Sequence, residues 1–243
     1  MKHGEIIQLG NHRLMCGDAT NRENVMSLIG NDHVDLVLTD PPYGIKVQHT
    51  NGVIGDYRLR YPNLSHKYNN PIRAKSYAQL IGDNTREGFR KHYTIIREIT
   101  HRMIVWGGQN FADFLPVSPA WIFWDKQTGN NDFSDGELAY KSWGRKIKKY
   151  TQLWNGVLRE GNYTLNPKPR IHPTQKPVEL HMQILEDFTK PDDVILDCFG
   201  GSGTTLIACN ETGRKCLMME ISPDYCDIII ERYDKLTQGS INF

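Results

Sequence analysis

The sequence predicts an α/β domain built on a mostly parallel sheet, and three observations carry that expectation. Four short apolar runs (13–18, 34–40, 194–197 and 216–220) each end in a carboxylate, namely Asp18, Asp40, Asp197 and Glu220. Continuous apolar runs of this length suit strands covered on both faces, as in a parallel sheet. Helix signals fall between the runs, the alternation expected of βαβ units. A glycine loop, Phe199-Gly200-Gly201-Ser202-Gly203-Thr204, follows one run and opens a helix.

The helices are read from their starts and their apolar stripes. Thr20 and Glu23 have the spacing of a capping box ahead of Val25, Leu28 and Ile29. Pro177 opens a helix bearing Leu180, Ile184, Leu185 and Phe188, and Ser222-Pro223 opens another through Ile229, Ile230, Tyr233 and Leu236. Two aromatic-rich runs, 120–125 and 137–141, are joined by a Gly/Asn/Asp loop and read as a hairpin, an antiparallel pair at one sheet edge. Segments 44–75 and 141–170 lack periodicity; loops this long inside a compact domain are usually functional or disordered.

Composition sets the bounds. With 243 residues, 39% hydrophobic and 23% charged, one domain over 1–243 is expected. No apolar run approaches the roughly 18 residues of a membrane span, and the N-terminus has no signal-peptide pattern, so a cytoplasmic chain with no membrane partner is expected. Five cysteines form no C-x-x-C pair and show no metal-ligand spacing; they read as buried free thiols, with no metal. The net charge of +1 conceals a division: segment 44–75 carries +5, segment 141–170 carries +7, and the rest of the chain is strongly acidic. Positive charge gathered into two segments implies a polyanionic partner.

Parallel strands present their carboxyl ends along one edge, where ligands bind, so the four terminal carboxylates would share a crevice. Each alone suits a turn or a helix cap, but four like charges converging in a cleft imply a ligand that uses them. The glycine loop lets a ligand approach backbone N–H groups at a helix N-terminus. A nicotinamide dinucleotide would want a third glycine where Leu206 stands, and a phosphate loop would need Gly-Lys-Ser/Thr, which is missing. S-adenosylmethionine needs neither; it needs an acceptor for its ammonium and a carboxylate for its ribose hydroxyls, which suits Asp197 and Glu220.

Asp40-Pro41-Pro42-Tyr43 directly follows a predicted strand. An exocyclic amino nitrogen of a base is a poor nucleophile because its lone pair is delocalised into the ring. A carboxylate and a backbone carbonyl accepting its two N–H groups would free that lone pair. Pro41, with fixed φ and no N–H, can hold a carbonyl inward, and Tyr43 offers a face on which a flipped base can stack.

With these motifs in this order, the chain resembles the β group of DNA amino-methyltransferases, in which the tetrad precedes the cofactor loop. The resemblance runs through Gly17-Asp18, the tetrad, the stretch His172-Pro173-Thr174-Gln175-Lys176-Pro177, the Phe199 loop and Glu220. It implies a circularly permuted Rossmann-like methyltransferase fold, a mostly parallel seven-stranded sheet with an antiparallel edge hairpin, in which the N-terminal run ending at Asp18 supplies the third strand of the cofactor half. It implies S-adenosylmethionine as cofactor, with Asp18 at its adenine ring and Thr174, Gln175 and Lys176 at its methionine end. It implies double-stranded DNA as partner, and homodimers are common among such relatives.

Asp40 at the head of the tetrad points to adenine N6; serine is usual for cytosine N4. Methylation of RNA or protein is disfavoured because those relatives carry asparagine first and the unpermuted order. A catalytically dead nucleic-acid-binding module is disfavoured by the intact tetrad. Methylation at a cytosine ring carbon needs Pro-Cys, which is absent. By the same resemblance, 141–170 occupies the target-recognition position, with Lys146, Lys148 and Lys149 as DNA contacts. That region is short, so the 44–75 loop insertion is expected to help through Arg58, Arg60 and Lys67.

Overall fold

The computed structural model describes residues 1–44, 85–128, 134–155, 158–159, 161–162, 165 and 175–239. In chain order the strands are β1 (Ile6–Leu9), β2 (His12–Cys16), β3 (Leu36–Thr39), β4 (Met103–Trp106), β5 (Trp121–Asp125), β6 (Gly136–Lys141), β7 (Lys148–Thr151), β8 (Trp154–Asn155), β9 (Leu158–Arg159), β10 (Val194–Asp197) and β11 (Lys215–Glu220). The helices are α1 (Arg22–Ile29), α2 (Glu87–Ile99), α3 (Val178–Phe188), α4 (Thr204–Thr212) and α5 (Pro223–Gly239).

Nine strands form one sheet in the order β1-β2-β11-β10-β3-β4-β6-β5-β7, and β8 and β9 form a small separate ribbon. The five from β2 to β4 are mutually parallel. The alternation of side chains along them divides the core in two. On β3, Leu36 and Leu38 face a core shared with α3, α4 and α5, while Val37 faces a second core with α1 and α2. Ile195 and Leu196 on β10, and Cys216 and Leu217 on β11, split in the same way. Both faces are therefore covered, which is why these strands read as unbroken apolar runs.

The parallel arrangement, the permuted order and the 121–141 hairpin agree with expectation. β2, from the N-terminal end, pairs with β11, so the strand ending before Asp18 stands beside the one ending at Glu220, with the one ending at Asp197 next beyond it. Among the described residues the sheet has nine strands rather than seven because each edge carries one more. β1 folds back on β2 in register Leu9↔His12, and β7 pairs parallel to β5, so the β5–β6 hairpin lies inside the edge. Both additions are largely exposed edge strands: in β1 only Leu9 and in β7 only Tyr150 is buried.

The capping box at Thr20 does not form. The cap is Asn21, whose side chain accepts from the N–H groups of Glu23 and Asn24 at 2.8 and 3.2 Å. Asparagine is among the strongest N-caps and stands one residue later, so Glu23 falls too early in the helix to complete a box. The Thr20 N–H donates instead to Asp18 Oδ1 at 2.8 Å.

Candidate active site

The carboxyl ends of β2, β3, β10 and β11 carry Asp18, Asp40, Asp197 and Glu220 along one edge, as the parallel topology requires. Asp197 is buried. Its Oδ1 accepts from Thr39 Oγ1 at 2.8 Å and the Phe199 N–H at 3.1 Å, and its Oδ2 accepts from Thr205 Oγ1 at 2.6 Å. Burial pushes its carboxyl up to about 6 against the pull of these donors. Three protein donors on roughly four lone-pair sites leave little acceptor capacity for a ligand. Asp197 therefore shapes the loop more than it faces the crevice.

Glu220 is differently placed. Oε2 accepts from the Gly201 N–H at 2.7 Å and Oε1 from the Ser222 N–H at 2.9 Å. Burial pushes it up to about 7 against those bonds and a weaker one from the Ile221 N–H, with Asp197 adding to the rise. Asp18 is half-buried, with its own N–H donating to Asn24 Oδ1 at 3.1 Å.

The glycine loop lies across the end of β11. The Gly200 N–H donates to Met219 O at 2.8 Å, and a Cβ at Gly200 would stand 2.8 Å from Met218 Cγ. Gly203, at φ +80, caps α4 and directs the chain into the helix. From the far side Arg232 of α5 donates to Ser202 O at 2.7 Å and to Leu165 O. Burial lowers this guanidinium to about 10. Phe199 packs edge-on against His92, with ring centroids 5.0 Å apart.

The tetrad leaves β3 beside this loop. Asp40 Oδ1 accepts from Tyr43 OH at 2.6 Å, and Oδ2 pairs with the ammonium of Lys176. Pro41 is buried and Pro42 half-buried. The Tyr43 ring meets Phe111 edge-on at 6.3 Å and lies against Gly107, where a Cβ would come within 2.1 Å of Tyr43 Cε1. Lys176 also stands 3.4 Å from Glu137 Oε2 on β6, and Glu137 Oε1 pairs with Lys126. Burial works against the Lys176 charge, but Asp40 and Glu137 outweigh it and raise its pKa. Glu137 is likewise penalised by burial and held below the usual range by Lys176 and Lys126.

A second buried chain connects the two halves. Trp106 Nε1 donates to His181 Nε2 at 3.1 Å, His181 Nδ1 lies 3.2 Å from Thr205 Oγ1, and that hydroxyl donates to Asp197. Burial lowers His181 to about 3, so the ring is neutral. With Nε2 accepting, its one proton sits on Nδ1 and points to Thr205.

Of the residues anticipated from sequence, the fold brings Asp40, Tyr43 and Lys176 together, and Asp197, Glu220 and the 199–204 loop together. Thr204 Oγ1 donates to Lys176 O at 3.3 Å and joins the groups. Gln175 is buried, its carbonyl accepting from Trp154 Nε1 at 3.1 Å. Thr174, Arg58, Arg60 and Lys67 lie outside the described residues. Lys148 and Lys149 are on the edge strand β7, paired with Asp187 at 3.0 Å and Asp125 at 2.8 Å; Lys146 is exposed, without an ion pair among the described residues. Sequence reasoning missed Glu137, Lys126, His181 and Arg232. Glu137 alone carried a trace of signal, an acid inside an aromatic-rich strand.

Comparisons with known proteins place the fold and the family. The structure shares its fold with the M1.HpyAVI–SAM complex (TM-score 0.52, 19% identity, 90% of this chain and 98% of the other). It shares it also with the cytosine-N4-specific PvuII DNA methyltransferase (TM-score 0.59, 16% identity, 98% and 94%). These define the class as the Rossmann-like α/β fold of DNA methyltransferases. Residues 34–231 match the N6/N4 methyltransferase family model described as DNA methylase, and the chain belongs to that family. Among curated relatives, Type II methyltransferase M2.MboI of Moraxella bovis is 27% identical over 87% of this chain and 85% of its own length. The putative methylase YubD of Escherichia coli is 26% identical over 88% and 86%.

Proposed function

We propose that this protein transfers a methyl group from S-adenosylmethionine to the N6 amino group of adenine in double-stranded DNA. The observation that carries the reading is Asp40 at the end of β3, beside the glycine loop, with its carboxylate facing Tyr43 and Lys176. The crevice fits the cofactor. Glu220 offers a carboxylate to the ribose hydroxyls, held in place by the Gly201 and Ser222 N–H groups, and the backbone at Gly200 leaves no room for a side chain. Asp18, Gln175 and the 199–204 loop complete the set, with Asp197 holding the loop, while the Lys176 ammonium is taken up by Asp40 and Glu137. When bound, S-adenosylmethionine supplies an electrophilic methyl group.

The chain's own residues do the rest. The target base leaves the stack and lies against Tyr43. Asp40 accepts one N–H of its amino group and the tetrad backbone the other, which aligns the nitrogen lone pair. Asp40 serves as acceptor and positioner, since a neutral amine need not be deprotonated before attack; the proton leaves once the nitrogen is cationic. Alignment and hydrogen bonds that strengthen as charge develops supply most of the acceleration.

Lys146, Lys148 and Lys149, with Arg58, Arg60 and Lys67, are assigned to phosphate contacts on either side of the flipped base. The five buried free cysteines suit the cytoplasm. Calorimetric titration should give one S-adenosylmethionine site per chain and no NAD binding. Methylation-sensitive sequencing of DNA from cells making the protein should show modified adenine at a fixed sequence. NAD binding without S-adenosylmethionine binding would refute the cofactor, and unmodified DNA the substrate.

A further inference from the structure

In this structure the acceptor that a target amine needs is already engaged. Asp40 Oδ2 holds the Lys176 ammonium and Oδ1 holds the Tyr43 hydroxyl. Lys176 is 5% exposed, so its charge must rest on a carboxylate. It has two within reach, Asp40 and, 3.4 Å away, Glu137. Glu137 comes from β6, not from any motif of the tetrad or the cofactor loop, and its Oε2 has no hydrogen-bond partner among the described residues. Its other oxygen is held by Lys126, which reaches the surface and sits over Trp124. Beneath the Lys176 ammonium, 5.2 Å from the ring centroid, lies Trp106, an apolar floor along which a cation can shift at little cost.

We infer that Glu137 is a positioning residue for methyl transfer: it draws the Lys176 ammonium off Asp40 when the target amine arrives, so that Asp40 Oδ2 accepts the amine N–H. The inference rests on the reading of Asp40 as the amine acceptor. Lys176 keeps its three protons throughout, and no bond is made or broken in the shift. Two consequences follow from the charges. With Lys176 on Glu137, the carboxylate of Asp40 faces the nitrogen that becomes cationic, uncompensated by an adjacent ammonium. Without an anion at position 137, Lys176 has only Asp40 left and stays there. A lysine fixed on Asp40 both weakens the acceptor and repels the developing charge.

The test is kinetic, at saturating DNA and cofactor, with cofactor affinity and thermal midpoint measured on the same preparations. Glu137→Gln should lower kcat at least tenfold while leaving S-adenosylmethionine affinity within about threefold, and Glu137→Asp should restore most of the loss. In a Lys176→Met background, Glu137→Gln should cost no more than a further twofold, because the cation it releases is gone. Lys126→Met, at the outer end of the same chain of charges, should lower kcat far less than Glu137→Gln. Should Glu137→Gln fold poorly, Glu137→Asp carries the test: it keeps the anion and should retain most of the wild-type kcat, and a tenfold loss there with the thermal midpoint unchanged overturns the inference. Wild-type kcat in Glu137→Gln overturns the inference. So does a loss confined to cofactor affinity, an undiminished loss in the Lys176→Met background, or a Lys126→Met defect as large as that of Glu137→Gln. A wild-type protein that transfers no methyl group to DNA overturns the reading beneath it instead.

Discussion

Glu220 couples cofactor binding to a proton. Burial holds its carboxyl near 7 in the ligand-free protein, well above 4.5, so below neutrality the group carries a proton. A ribose diol donates to the ionised form, so binding must expel that proton. Binding to the ionised form alone makes the apparent affinity about tenfold weaker at pH 6 than at pH 8, with close to one proton released per cofactor at pH 6. The stability of the ligand-free protein carries the same sign. A carboxyl raised above its unfolded value penalises the folded state progressively as pH climbs from about 4.5 through 7, by up to about 3.5 kcal/mol. Cofactor should offset that loss most strongly at high pH.

The assay is isothermal titration from pH 6 to pH 8 in buffers of different ionisation enthalpy, which counts protons directly. Glu220→Gln should abolish most of the pH dependence and weaken binding at pH 8 by about 1–3 kcal/mol, the cost of a lost charge-assisted acceptor. Affinity unchanged across this range in the wild type, without proton release, would refute the reasoning. So would a Glu220→Gln variant that keeps the wild-type pH dependence.

Asp40→Ala should abolish methyl transfer while leaving cofactor affinity within a few-fold, and normal turnover would exclude the tetrad mechanism. Gly107→Ala places a Cβ 2.1 Å from Tyr43 Cε1, on a backbone at φ +65, and should cost about 1 kcal/mol of stability together with most of the activity. A fully active variant would show that Tyr43 need not lie where it does. Replacing Lys146, Lys148 and Lys149 by alanine should reduce the salt slope of DNA binding by up to about 3 units. Lys146→Ala alone should account for about one of them, since Asp187 and Asp125 compete with phosphate for the other two. An unchanged slope would place the DNA surface elsewhere.

The sheet was legible because burial on both faces writes itself as unbroken apolar runs, and each run ends where a parallel strand delivers its carboxylate. The runs at 34–40 and 216–220 became β3 and β11 with Asp40 and Glu220 at their ends. The edge strands were harder to see. Most of their side chains meet water, so Lys148–Thr151 resembles a basic loop until Tyr150 is seen to be its one inward residue. The cap at Asn21 shows the limit of spacing rules, since two adjacent residues could serve and only the geometry of the first turn chooses between them.

Within the site, motifs made of consecutive residues were found and partners brought together by the fold were not. Glu137 reaches Lys176 across 39 positions of sequence, and Arg232 reaches Ser202 across 30. Neither pairing has a local pattern. Asp197 was recognised for its place, but its three protein donors give it a structural duty that spacing cannot show.

The most direct test uses purified protein, S-adenosylmethionine labelled in its methyl group, and double-stranded DNA digested to nucleosides after reaction. The proposed function predicts that the label elutes as N6-methyladenine, and that Asp40→Ala gives none. Label in N4-methylcytosine would contradict the assignment of the target base, and label absent from every nucleoside would contradict the activity itself.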